Sequence, residues 1–266
     1  MQKAGIRVVG VEAHSPRSRA RARRAAPGLS LASPSQPLPA AALLIAVPDS
    51  AIPKCARDLA ERLHPATSVA IHTSGLVPAA ALAPLAAAGC SVAALHPLAS
   101  FAAAAGPLVA LAGVAAAVEG DGPAVAEASR LARALGMRPF RLERSGKRRY
   151  HAAAALAANM THVLVVTARR LFVEIGLSPR EAAAALRPLV AGSVEAALSA
   201  RGMERLTGPV ARADAGAVAA DMRALPRPVR PAYREVASLA VGDLVRGGLV
   251  NAEQARRLLS ALTGQG

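Results

Sequence analysis

Apolar positions in this chain follow two patterns, and the pattern changes near residue 145. Before it, short apolar or β-branched runs recur: Ile6–Val11, Ala41–Val47, Ser68–Ile71, Ser91–Leu95, a run within Val109–Val118, and Pro139–Leu142. Leu29–Leu31 offers one more short strand. Between them lie helical stretches. A turn at His14 enters an Arg-rich helix. Ile52–Leu63 carries Ile52, Cys55, Leu59 and Leu63 on one side, Ala79–Ala88 stops at Gly89, and Pro123–Leu135 stops at Gly136. Wholly apolar strands alternating with helices predict a parallel α/β sheet, with strands near 6–11, 41–47, 68–72, 91–95 and 112–118.

From Ser145 the pattern turns helical to the end of the chain. Ser145–Gly176 reads as one long helix. At about 100° per residue, Lys147, His151, Asn159 and His162 fall within about one third of its circumference. Ala155 and Ala158, on the same arc, leave room beside them. Ser178-Pro179-Arg180-Glu181 has the form of a capping box opening a helix to Ala200. Gly208-Pro209 forces a turn, and Asp214 caps a helix to Leu225. Helices over Tyr233–Gly247 and Asn251–Leu262 complete the chain. The expected organisation is an α/β domain over 1–144 and an all-helical domain over 145–266.

Composition narrows the class. The 266 residues are 53% hydrophobic but only 2% aromatic, without Trp, so the core is Ala, Leu and Val packed at close range. The net charge of +15 invites a nucleic-acid reading. Its arginines are spread along the chain among acids and lack aromatic partners for base stacking, which argues against nucleic acid. Two separate cysteines, Cys55 and Cys90, form neither a disulfide framework nor a zinc site, and fit a reducing, cytoplasmic setting. No Asp, Glu, Lys or Arg occurs between Arg62 and Glu119, but prolines and histidines break that run too often for a membrane span.

Candidate chemistry gathers at strand ends, where ligands bind in sheets of this kind. His14-Ser15 follows the first run, Pro48-Asp49 the strong apolar one, His72-Thr73-Ser74-Gly75 the next, and His96-Pro97 the fourth. No G-x-G-x-x-G turn is present, and MQKAGIRVVGV looks like the tail of a first helix entering a second strand, so the expected sheet lacks its first strand. Past that strand, Ser15, Arg17 and Arg19 suit the 2′-phosphate of NADP better than the ribose of NAD.

AVPDSAI at 46–52, HTSG at 72–75, LHPLASF at 95–101, VEGD at 118–121, KRRYHAAAALAAN at 147–159 and LTGPVARAD at 206–214 together carry a resemblance. The chain resembles, over nearly its whole length, a bacterial family with an N-terminal Rossmann-like domain and a C-terminal helical domain of unknown function. That family is similar in build to pyrroline-5-carboxylate reductase, ketopantoate reductase and the deazaflavin-dependent NADP oxidoreductases. The resemblance implies a 6-phosphogluconate-dehydrogenase-C-terminal-like second domain, through which two copies dimerise. It implies an NADP-dependent reductase, with NAD the lesser alternative, acting on a carbonyl or imine of a small metabolite between the domains. His151 would donate a proton, with Lys147 and Asn159 orienting or polarising the substrate. Val47, Pro48, Asp49, Ser74 and Gly75 would join Ser15 and Arg17 at the cofactor. His72, His96 and Arg212 would meet the substrate, and Tyr150, turned about 100° from His151, would pack or close the cleft. No metal is expected. The different expectation set against this is a non-catalytic ligand-binding or regulatory protein that has lost cofactor binding with its glycine turn.

Overall fold

The computed structural model describes residues 5–13, 15–25, 28, 31, 39–101 and 110–264. They form two compact units, Met1–His162 and Val163–Gly266. The first unit holds a five-stranded sheet in the order β1-β2-β3-β4-β5. The strands are β1 (Ala42–Ile45), β2 (Val69–His72), β3 (Ser91–Pro97), β4 (Ala115–Gly120) and β5 (Arg138–Arg141).

Strands β1, β2 and β3 are parallel, as the alternation of apolar runs and helices requires. The sheet is not wholly parallel, however. β4 runs antiparallel to β3, with Ala93 opposite Gly120 and Pro97 opposite Ala116, and β5 is parallel to β4. Antiparallel neighbours need no crossover helix between them. Gly120 makes the close pairing feasible: its φ is 140°, and a Cβ there would lie 2.3 Å from the Val92 carbonyl oxygen. β4 also begins later than expected, which carries Glu119 into the strand.

The expected strand at Ile6–Val11 does not form. Among the described residues its one pairing is an isolated parallel bridge from Val11 to Leu31, and a lone pairing without a ladder is too weak to hold a strand. His14 and residues 29–30 of the expected Leu29–Leu31 strand lie outside the described residues. Helix α1 (Pro16–Ala25) opens at Ser15, whose hydroxyl accepts from the Ser18 amide at 3.0 Å.

Side chains on a strand alternate between faces, so the sheet sorts its core in two. Val69, Ile71, Ala93, Leu95, Ala116 and Val118 pack on one face with helix α4 (Gly122–Ala134). Ile45, Ala70 and Val92 pack on the other with α2 (Ile52–Ala60) and α3 (Ala83–Ala87). The expected helix at Ala79–Ala88 is split, beginning as a 3-10 turn at Ala79–Leu82 before α3.

The long helix is continuous but not regular. α5 (Lys147–Ala155) passes into a π turn at Leu156–Met160 and then α6 (Thr161–Glu174). The π turn inserts extra backbone, so Asn159 and His162 do not continue the 3.6-residue arc of Lys147 and His151. Further on come α7 (Pro179–Leu198), α8 (Ala215–Ala224), α9 (Arg230–Arg246) and α10 (Ala252–Thr263). The expected Ser178–Glu181 capping box and Asp214 cap are both present. Val218, Met222, Val241, Leu244, Leu258 and Leu262 form the core of α8, α9 and α10.

Candidate functional site

The pairing register places polar residues in one row. Ile45 lies opposite His72, His72 opposite Ala94, and Ala94 opposite Glu119. Directly opposed residues share a face, so His72 and Glu119 point the same way with the small Ala94 between them. His96, two residues beyond Ala94, shares that face. The row lies within an apolar face, and each polar member finds a partner there.

His72 is fully buried. Its Nδ1 accepts from the Ser74 amide at 3.2 Å, and its Nε2 donates to the Pro78 carbonyl at 3.2 Å. An amide can only donate and a carbonyl only accept, so the proton is on Nε2. Burial pushes its pKa down to about 4, which keeps the ring neutral at pH 7. The Ser74 hydroxyl in turn accepts from the amides of Leu76 (3.1 Å) and Val77 (2.9 Å). His72 and Ser74 thus shape the Thr73–Pro78 turn from inside, and His72 keeps no ring nitrogen free for a substrate.

That turn seats His96. A Cβ on Gly75 would fall 2.8–2.9 Å from three atoms of the His96 ring, so the ring lies directly on the Gly75 backbone. HTSG and LHP, separate in sequence and on neighbouring strands, meet again at this contact. His96 Nδ1 is 2.8 Å from the Tyr150 hydroxyl, and the two rings meet edge to face at 5.7 Å and 84°. Phe140 from β5 closes on the other side of Tyr150, 6.0 Å away. Burial first, then the charges of Lys147 and His151, lower the pKa of His96. Tyr150, expected to pack or close the cleft, packs on both rings and adds a hydroxyl contact to His96.

Lys147 opens α5 and is only 4% exposed. Its Nζ lies 3.4 Å from Glu119 Oε2, and the same oxygen accepts from the Ala79 amide at 2.9 Å. Burial lowers the Lys147 pKa, with Glu119 and then Asp49 opposing that shift. Asp49, in the 3-10 turn after β1, also favours the charged forms of His72 and His96. Val47, Pro48 and Asp49 thus lie at the carboxyl end of β1. His151, one turn along α5 from Lys147, has a buried Nδ1 that makes no hydrogen bond.

His72, Ser74, Gly75, His96, Lys147 and His151 are accordingly gathered in the first unit, with Asp49 in their field. Ser15 and Arg17 are exposed at the start of α1. Asn159 is exposed in the π turn, and its side chain meets no hydrogen-bond partner among the described residues. Arg212 belongs to the second unit, exposed on the loop before α8. Among the described residues no group of His, Cys, Asp and Glu could hold a metal ion. The sequence reading passed over Glu119 as a site residue. The signal for it was its position, as the first charge after Arg62 and directly after Ala-Ala-Ala-Val.

Residues 1–97 match a Rossmann-like domain, and residues 114–240 match a domain of unknown function, DUF2520. No curated protein matches the chain. Among solved structures, a proposed NADP oxidoreductase of Bacteroides fragilis, BF3122, is similar at a TM-score of 0.73 and 17% identity, covering 90% of both chains. Protein TM1727 of Thermotoga maritima has a TM-score of 0.64 and 24% identity, covering 86% of this chain and 87% of its own. A proposed oxidoreductase of Mycobacterium avium 104 has a TM-score of 0.54 and 18% identity, covering 96% and 90%. At these identities the likeness is one of fold. The chain joins a Rossmann-like domain to a DUF2520 domain.

Proposed function

We propose that the protein is an NADP-dependent oxidoreductase that reduces a carbonyl or imine of a small metabolite beside α5. The observation that carries this reading is the buried, unbonded Nδ1 of His151 next to a histidine and a buried lysine. A buried polar atom left unpaired costs about 1–3 kcal/mol, and such atoms concentrate where a ligand completes the bonding.

The residues fit the two ends of a dinucleotide. Ser15 and Arg17 at the start of α1, an N-terminal turn without acidic residues, suit a 2′-phosphate. At the other end the half-buried His96 ring, seated on the Gly75 backbone, offers a flat face to a nicotinamide ring. The chain contains no G-x-G-x-x-G to cradle a pyrophosphate, so the fit is to the ends of the cofactor and not to its middle. Bound there, NADPH would supply a hydride.

The side chains supply the rest. His151 gives a proton from its imidazole to the carbonyl oxygen or imine nitrogen. The Lys147 ammonium, held by Glu119, stabilises negative charge developing on the same atom. Tyr150 and Gly75 fix the His96 ring, and His72 fixes the turn that carries Gly75. Asn159, two turns beyond His151, takes no part in the step.

We further propose that a second copy of the chain covers the exposed apolar face of α6 and α7. Arg144–Glu174 is long and apolar enough to cross a membrane. Its first turn is held in the sheet unit by Lys147 and Tyr150, and Asn159 and His162 would be costly at mid-bilayer. A protein partner accommodates such residues at far lower cost.

Titration with NADPH and with NADH, followed by nucleotide fluorescence, tests the cofactor. NADPH should bind more tightly, and Arg17→Ala with Arg19→Ala should remove a preference of about 1–3 kcal/mol. Equal affinities before mutation end the NADP assignment. In a substrate screen, His151→Ala should lower turnover by about 10²–10⁴-fold with NADPH affinity unchanged. A second reading, a ligand-binding or regulatory protein on this fold, draws on the missing glycine turn. It predicts NADPH binding without turnover of any carbonyl or imine, or no binding at all.

A further inference from the structure

Behind the sheet row, on the side of Glu119 away from the strand-end turns, lies a cleft of about 210 Å³. Ala79, Ala80, Val92 and the β4 residues Glu119, Gly120 and Asp121 line it, with the chain from Arg141 to Arg144. Glu119 is common to this cleft and to the site. Glu119 is only 5% exposed, yet it reaches both the cleft and Lys147 Nζ.

We propose that Glu119 is the positioning residue that holds Lys147 charged, and that the cleft is the route by which this pair exchanges protons with solvent. The inference rests on the role given above to Lys147. Three observations support it. Lys147 is itself nearly closed to solvent, so any proton it gains or loses passes a neighbour. The Ala79 amide fixes Glu119 Oε2 at 2.9 Å, which keeps the carboxylate aimed at Nζ. Arg141, Glu143 and Arg144 line the cleft without an ion pair to one another, leaving it open to water and small ions.

The charges around the pair come from every element that meets it. Asp49 after β1 and Glu119 on β4 favour the ammonium. Lys147 in turn disfavours protonation of His72 on β2 and His96 on β3. Of these groups Glu119 is the one in ion-pair contact with Nζ. In the exchange, a solvent hydronium in the cleft protonates the Glu119 carboxylate, and the carboxyl then passes that proton to the neutral Nζ amine and regains its charge. The net result is one solvent proton on Lys147 and a water molecule in the cleft, and the reverse sequence discharges the lysine.

The chain has only three lysines, Lys3, Lys54 and Lys147, so carbon-13 labelling at Cε gives three resonances to follow against pH. Lys147→Arg assigns the signal, and the surface Lys54 is an internal reference. Glu119→Gln keeps an acceptor for the Ala79 amide and removes the charge. It should move the Lys147 midpoint down by about 1–3 pH units, the effect of one close opposite charge. Glu143→Gln, in the same cleft without contact to Lys147, should leave it in place. In Glu119→Ala, formate should enter the cleft and bring the midpoint back up, and chloride at equal concentration should not. An unchanged midpoint in Glu119→Gln overturns the proposal. A shifted midpoint without a formate response retains the charge-holding role and overturns the cleft as the route. If Glu119→Ala does not fold, faster exchange broadening of Lys147 in wild type than in Glu119→Gln decides the route, and equal broadening overturns it. None of these readings needs turnover, so failure of the proposed reaction leaves a separate mark.

Discussion

The two units break the usual inside–outside rule in opposite directions. The sheet unit buries His72, Ser74, Glu119 and Lys147, while the helical unit leaves Ile175, Leu189 and Leu198 at least 63% exposed. α6 has no buried residue at all, and α7 buries only Ala182 and Leu186. Buried polar groups are costly unless paired, and those of the sheet unit are paired almost completely. Exposed apolar surface of this extent is costly until something covers it. The first departure marks a site completed within one chain. The second is the surface on which the proposed second copy rests.

The sharpest way to break that comparison is to charge the apolar face. Leu189→Glu with Val163→Glu should turn a dimer into monomers at micromolar concentration, measured by light scattering after gel filtration. An unpaired charge in a buried interface costs several kcal/mol, and a self-complementary interface counts it twice. A wild-type protein that is monomeric at high concentration removes the second copy from the account.

The paired groups of the sheet unit should respond to pairing rather than to polarity. Glu119→Ala strands the Lys147 ammonium in the interior, where loss of one partner of a buried pair costs about 3–5 kcal/mol. Glu119→Leu with Lys147→Met should recover most of that loss, since an apolar pair of similar volume is often neutral. Urea denaturation measures both. A double variant no better than the single one shows the pair to be more than an electrostatic couple.

Acid should find the same region first. His72 has a folded pKa near 4 against an ordinary 6.5, so between those values the unfolded chain binds more protons. Stability therefore falls as pH drops from 6.5 through 4, by about 3 kcal/mol in all. His72→Gln, which does not titrate, should be less stable at pH 7 but flat across that window. A wild-type profile without slope there contradicts the buried neutral imidazole.

Most of the fold was legible because strand cores announce themselves. β1, β2, β3 and β5 lie in the runs expected, and the helices start at the caps read from Ser178 and Asp214. What the sequence could not show was pairing. The direction of β4 is set by its pairing with β3, and only its register puts Glu119 in line with His72. Ile6–Val11 has strand composition but gains a single bridge, because a strand exists only through its neighbours. The places of His72 and His96 at strand ends and of Lys147 on a helix were readable, but not the partners that each meets. That Tyr150 would pack was readable, but not its hydroxyl contact with His96, because a helical wheel gives a direction and not the length of the side chain. Asn159 was over-read because the wheel assumed no π turn.

The smallest of these effects sharpens the comparison most finely, because it separates a shaped contact from a merely filled one. Gly75 is buried, and its lack of a Cβ lets the His96 ring rest on the backbone. Gly75→Ala puts a methyl 2.8–2.9 Å from the ring, and the ring is not the free end of a flexible chain, since Tyr150 holds its Nδ1. Overpacking of this kind costs about 1–3 kcal/mol. The ring must turn away, which gives up the Tyr150 hydrogen bond, itself worth about 0.5–1.5 kcal/mol. His96→Ala alone loses that bond and the edge-to-face contact, but leaves the room that an alanine at 75 would fill. The two substitutions together should therefore cost less than the sum of their separate effects, by about 1 kcal/mol or more, as contacting residues do. Thermal or urea denaturation of the four proteins in this cycle gives the coupling directly. Strict additivity would mean that HTSG and LHP do not meet through this ring, and the site would have to be rebuilt without His96.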